Sequence, residues 1–175
     1  MFNFINYIQA LTSQNRLTTQ KDFVHTTCSG INYLEGMLQQ YQSAANIICT
    51  SDVCSESTFQ QSGGWFKRRV YTIFILMRYD YNNMEDYNDK INTCREILRQ
   101  YQSRILHDAE QLQTQMLYIH TDDMRANELG STFLNGCTGL YFMLSMDEPT
   151  SLAYDPDAWS PAPGDGLSRV RSSEP

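Results

Sequence analysis

A chain of 175 residues, 41% of them apolar and 19% charged, is long enough to bury one independent core and too apolar for general disorder. Its longest nearly uncharged apolar stretch, Val70–Met77, falls well short of the roughly 20 residues that a membrane span needs. The net charge of −7 divides into −2 over residues 1–65, +3 over 66–107 and −8 over 108–175, so only Lys67-Arg68-Arg69 has the look of a basic patch, which argues against a dedicated nucleic-acid binder.

The chain opens with MFNFINYIQALTSQNR, which has no basic n-region and no small-residue cleavage site and so predicts no secretion signal. Phe4, Ile5, Ile8 and Leu11 share one helical face and predict a short helix over residues 2–12. After a polar break, Val24, Cys28, Ile31, Leu34, Leu38 and Tyr41 recur three or four residues apart and predict a long helix over 20–42. Gly30 and Gly36 lower its propensity by up to about 1 kcal/mol each relative to Ala.

Ala45–Thr50 predicts a short strand, followed by a Ser-, Gln- and Gly-rich connection over Ser51–Gly64 that is unusually long for a hairpin loop and is expected to project. Arg68–Tyr81 is the strongest strand. Val70, Phe74 and Leu76 face one side and Tyr71, Ile73, Ile75 and Met77 the other, so both faces should be covered. Met84, Tyr87, Ile91, Cys94, Leu98, Tyr101 and Ile105 then predict about six turns of helix packed across the sheet. Asn82 or Asn83 would cap it, with Glu85 and Asp86 in the first turn.

Met116–His120 and Thr138–Met146 predict two further strands, joined by a polar connection over Asp122–Gly136. All five prolines lie in the last 29 residues, with Gly164 and Gly166 among them. The expected organisation is therefore a single α+β domain over 1–146 and an extended arm over 147–175. The expected fold is a four-stranded, mostly antiparallel sheet packed by two long helices. Leu152, Tyr154 and Trp159 make the arm costly to leave in water, and a neighbouring subunit is the natural cover.

Catalytic and metal signals are sparse. His120 beside Asp122 and Asp123 is the nearest approach to an acid–base or metal cluster, and a solvated acidic turn at a strand end accounts for it as well. His107 suits a helix C-terminus. His25, Cys28, Cys49 and Cys54 have the right chemistry for zinc but no familiar paired spacing, and five cysteines without an export signal read as reduced, mostly buried thiols. No GxSxG, GxxxxGK[ST] or GxGxxG occurs. No catalytic residue, metal or cofactor is assigned. Phe59, Trp65, Leu152, Tyr154 and Trp159 are candidate subunit-interface residues, and Lys67, Arg68 and Arg69 are candidate contacts for a phosphate or an acidic surface.

The predicted order over residues 20–146 is helix, strand, long loop, strand, long helix, strand, strand, followed by an arm. It resembles that of bacteriophage tail terminator and head–tail joining proteins, which form rings at the neck or the end of the tail tube. The resemblance implies a non-enzymatic structural subunit, made in the host cytoplasm and carried in the virion. It implies copies of itself and other neck or tail proteins as partners, with DNA passing an acidic lumen without specific binding. The loop Ser51–Gly64 and the arm Asp147–Pro175 would reach adjacent subunits. A small cytosolic adaptor or assembly chaperone is the alternative reading, and a metal-dependent hydrolase using His120 the third.

Overall fold

The computed structural model describes residues 2–30, 36, 46–130 and 136–159. Two long antiparallel strands form its frame: β4 (Gly64–Arg78) and β7 (Cys137–Thr150), paired without interruption from Trp65↔Thr150 to Arg78↔Cys137. Shorter strands attach along both of their free sides. On β4, the half from Ile73 to Met77 pairs with β2 (Asn46–Ser51), and the half from Gly64 to Val70 pairs with β3 (Ser55–Gln61). On β7, β5 (Tyr118–His120) takes Ser145–Asp147 and β6 (Ala126–Leu129) takes Gly139–Phe142. β1 (Phe23–Cys28) adds to β2 in parallel, giving seven strands among the described residues in one mostly antiparallel sheet.

The expected four-stranded sheet is thereby corrected. Its four strands are present as β2, β4, β5 and β7, and three more join them. β1 lies where the first part of the long helix 20–42 was expected. Val24, Thr26 and Thr27 are β-branched and favour a pleated surface, which helical spacing alone does not weigh. The remainder of that expected helix, from Ile31 to Gln42, lies outside the described residues apart from Gly36. β3 replaces most of the expected loop Ser51–Gly64. It closes on β4 through a two-residue turn, Ser62-Gly63, in which both residues have positive φ (50° and 80°), the hairpin geometry that matches strand twist. β6 lies within the expected polar connection Asp122–Gly136.

Helices α1 (Phe4–Gln14), α2 (Arg16–Gln20) and α3 (Met84–Gln113) are described over their full lengths, α3 being the longest, and Gly36 is also helical. α1 and α3 pack on the face of the sheet that carries Tyr71, Ile73, Ile75 and Met77 from β4 and Leu140, Phe142, Leu144 and Met146 from β7. Phe4, Ile8 and Leu11 from α1 and Cys94, Ile97, Tyr101 and Ile105 from α3 complete that core. Asn83 caps α3 by accepting from the amides of Glu85 and Asp86. Asn15 ends α1 and caps α2, and its side-chain amide donates to Gln100 Oε1 of α3 at 2.7 Å. The Tyr101 hydroxyl donates to Thr12 Oγ1 at 2.9 Å, and Thr12 in turn donates to Ile8 O, so the elbow between α1 and α2 is tied into the core by satisfied polar groups.

The opposite face of the sheet buries Ile47, Cys49, Phe74, Leu76, Leu129 and Cys137. No helix among the described residues is long and apolar enough to cross a membrane.

The frame depends on one glycine. Gly139 lies in β7 opposite Leu76 with φ +150°, and a Cβ built there would fall 2.0 Å from Ile75 O, a backbone atom. Replacing it with alanine must part the two strands near the Arg78↔Cys137 end of the ladder. Gly139→Ala is expected to cost about 3 kcal/mol or more, read from urea unfolding followed by circular dichroism. A cost within 0.5 kcal/mol, about the scale of an ordinary surface change, would contradict this account.

Candidate functional site: a paired charge ladder beside an aromatic recess

The first residues of β4 break the apolar alternation with three consecutive cations, Lys67, Arg68 and Arg69. Antiparallel pairing sets Lys67 opposite Glu148 and Arg68 opposite Asp147 on β7, and it sets Arg69 opposite Glu56 on β3. Because side chains alternate, the run divides between two faces. On the helix face, Lys67 Nζ lies 3.3 Å from Glu56, while Arg69 reaches Glu56 and Glu148 at 2.8 Å each. On the outer face, Arg68 grips Asp147 with two parallel hydrogen bonds, Nε to Oδ1 at 2.8 Å and Nη2 to Oδ2 at 2.9 Å. Asp147 and Glu148 are both buried, which for carboxylates requires partners of this kind.

His120, from β5, joins the outer-face pair, its Nε2 lying 2.8 Å from Asp147 Oδ2. Burial pushes the Asp147 carboxyl up, but the hydrogen bonds from Arg68 and His120 outweigh it and hold the group below its ordinary value. Arg68 is raised above its ordinary value, chiefly by the same bond to Asp147. The Glu56 carboxyl is held down, first by its hydrogen bond from Arg69.

Aromatic rings surround this network. The Arg68 guanidinium lies 5.0 Å from the centroid of Phe59, which stacks on Phe66 at 5.9 Å. Phe66 meets Tyr118 edge to face at 6.0 Å. Together Phe66, Tyr118, Arg68, His120 and Asp147 line a recess of about 460 Å³, with Gln61 and Ser62 of the hairpin tip at its rim.

The candidate residues from the sequence therefore divide. Phe59, Lys67, Arg68 and Arg69 meet at this end of the sheet, and the acidic groups beside the cations belong to the same chain. Trp65 is exposed at 41% and pairs with Thr150, the last residue of β7. Leu152, Tyr154 and Trp159 follow at once and are exposed at 52%, 58% and 63%. His120 is beside Asp147 and not in a cluster with Asp122 and Asp123. Asp123 instead pairs with Arg125, and His107 is exposed on α3. His25 and Cys54 belong to the helix face of the sheet, whereas Cys28 and Cys49 pack on the other, so the sheet separates the four candidate zinc ligands. Among the described residues, no three His, Cys, Asp or Glu side chains gather in a way that could hold a metal ion.

Asp147, Glu148, Glu56 and Tyr118 were not singled out by the sequence reading. For the three carboxylates the one sequence signal is charge, and Tyr118 has none. A strand end carrying Asp-Glu after an apolar run mirrors a strand start carrying Lys-Arg-Arg, which is the pattern of antiparallel neighbours. Compared with known proteins, the chain matches no family model and no curated sequence.

The Asp147 network carries a stability that depends on pH. A carboxyl depressed in the folded state contributes its stability above its unfolded value, and that contribution is lost as pH falls through the folded value. Asp147→Asn is expected to lower stability by about 2 kcal/mol at pH 7, measured by urea unfolding. The difference from the unmodified chain should shrink below pH 4. A difference that stays constant down to pH 2 would detach Asp147 from the effect.

Proposed function

We propose that this protein is a structural subunit that assembles with copies of itself, its C-terminal arm holding the neighbour, in a ring of the viral head–tail connector or tail terminator kind. The observation that carries the reading is the segment after β7. Residues 151–159 are exposed throughout, although they include Leu152, Tyr154 and Trp159. Their hydrogen bonds are local: Ala153 N to Ser151 Oγ, Asp157 N to Asp155 Oδ1, and the single turn of 3-10 helix over Pro156–Ala158. Side chains of this size each lose roughly 1.5–3 kcal/mol by remaining in water rather than in a core. Three of them on a short segment make an adhesive surface.

The charge ladder bears on how DNA would pass such a ring. Each cation of Lys67-Arg68-Arg69 already has a carboxylate within 3.3 Å, so a phosphate backbone would have to compete with existing ion pairs. Together with the net −8 of residues 108–175, this suits a surface past which DNA slides without being held. In this reading the protein needs no cofactor, and its work is geometric: sheets set side by side, with arms bridging them.

Asp147–Thr150 belong to β7 and contribute to the ladder, so the truncation that isolates the arm falls after Thr150. Removing residues 151–175 is expected to shift the melting temperature by no more than about 3 °C while abolishing self-assembly. The measurement is particle mass by light scattering across protein concentration, with negative-stain images of the same samples. Rings that form equally well without the arm would remove it from the mechanism. A full-length chain that stays monomeric and captures one soluble partner would instead favour an adaptor.

A further inference from the structure

The recess beside the charge ladder and the arm that leaves β7 have complementary chemistry. Phe66 and Tyr118 wall the recess, and the Arg68–Asp147–His120 network forms its floor. Aromatic walls above a polar, hydrogen-bonding floor suit a flat amphipathic side chain, one whose ring packs between rings while its N–H or O–H points inward. The floor has capacity for one more donor. An ionised carboxylate offers about four acceptor positions. Arg68 and His120 take three of those on Asp147, one on Oδ1 and two on Oδ2.

Trp159 fits that vacancy by shape and by chemistry. Its indole N–H is a donor only, its ring stacks on guanidinium and phenyl faces alike, and it is 63% exposed. It is the C-cap of the Pro156–Ala158 turn, which Asp155 caps at the other end, so the backbone that carries the ring is locally fixed. The arm also begins beside the recess. Pro149 is paired with the recess wall Phe66, and Thr150 with Trp65.

We infer that the aromatic recess between Phe66 and Tyr118 receives Trp159 from the arm of a second copy, its indole N–H donating to Asp147; this rests on the assembly reading above and names its acceptor. Where each arm passes one way the interface is head to tail, which closes into a ring when the rotation between copies closes, whereas a reciprocal exchange of arms gives a two-fold dimer.

Two measurements on the full chain test it. First, benzoylphenylalanine replaces Trp159, and equal amounts of isotopically light and heavy protein are mixed and irradiated. Cross-linked light–heavy peptides that include residues 61–68 or 118–120 are expected. Cross-links confined to one chain, or landing on another surface, would overturn the inference. Second, a synthetic peptide of residues 151–159 is titrated into the isotope-labelled protein and followed by nuclear magnetic resonance. Shifts should centre on Phe66, Tyr118 and His120. Tyr118→Ser, at a ring already exposed, should weaken binding about tenfold or more with the melting temperature held.

Absence of shifts at those residues would sink the proposal. The two readings fail separately. Light–heavy cross-links to the recess in a chain that forms only dimers or open oligomers support the inference and defeat the ring. Assembly with cross-links elsewhere does the reverse.

Discussion

Everything in this molecule hangs on the pairing of β4 with β7. The two strands run antiparallel over their full lengths, and each of the other strands except β1 adds directly to one of them. The pairing fixes a register, and a register fixes faces, because a slip of one residue would turn every side chain over. With Ile73 opposite Phe142 and Ile75 opposite Leu140, the helix face becomes a continuous apolar floor for α1 and α3. That same register carries Arg68 to Asp147 at the other end. Core and charge ladder are thus two consequences of one alignment. The ladder also guards that alignment, since a shifted register would bury two carboxylates away from their cations.

How far the sequence reveals this depends on the range over which each signal acts. β4, β7 and α3 are visible because their apolar positions repeat over many residues within one segment. β3 is not, since Ser55–Gln61 has no apolar alternation beyond Phe59. An edge strand in solvent needs none, and only the Ser62-Gly63 turn marks it. β1 misleads, because Val24 and Cys28 suit a helical spacing as well as a strand, and it is pairing with β2 that decides. β6 is a short exposed edge. The site is the least legible part. Arg68 and Asp147 are 79 residues apart, and nothing local to either states that they meet.

The same reasoning explains why Lys67-Arg68-Arg69 looks, in sequence, like a surface offered to an external anion. A basic run on a strand has its charges sent to alternating faces, and on a central strand both faces have neighbours. The free basic patch that phosphate binding requires is a property of a surface, not of a run of letters. Here Glu56, Asp147 and Glu148 satisfy the run from within the sheet. What remains unsatisfied lies further along the chain, in apolar rings and not in charges.

That contrast between satisfied charge and exposed apolar surface sets the kind of partner this protein can hold. An interaction led by electrostatics would be long-ranged and weakened by salt, and the ladder has little free charge to give it. An interaction led by Leu152, Tyr154 and Trp159 is short-ranged and depends on shape. It would be little affected by salt, as suits a permanent assembly more than a transient encounter. The polar floor of the recess then acts as a filter. An aliphatic side chain placed there would cover the open acceptor of Asp147 without meeting it, whereas an indole N–H would satisfy it. In the proposed contact, affinity comes from the rings, and the choice of which ring comes from the carboxylate that β4 and β7 together hold in place.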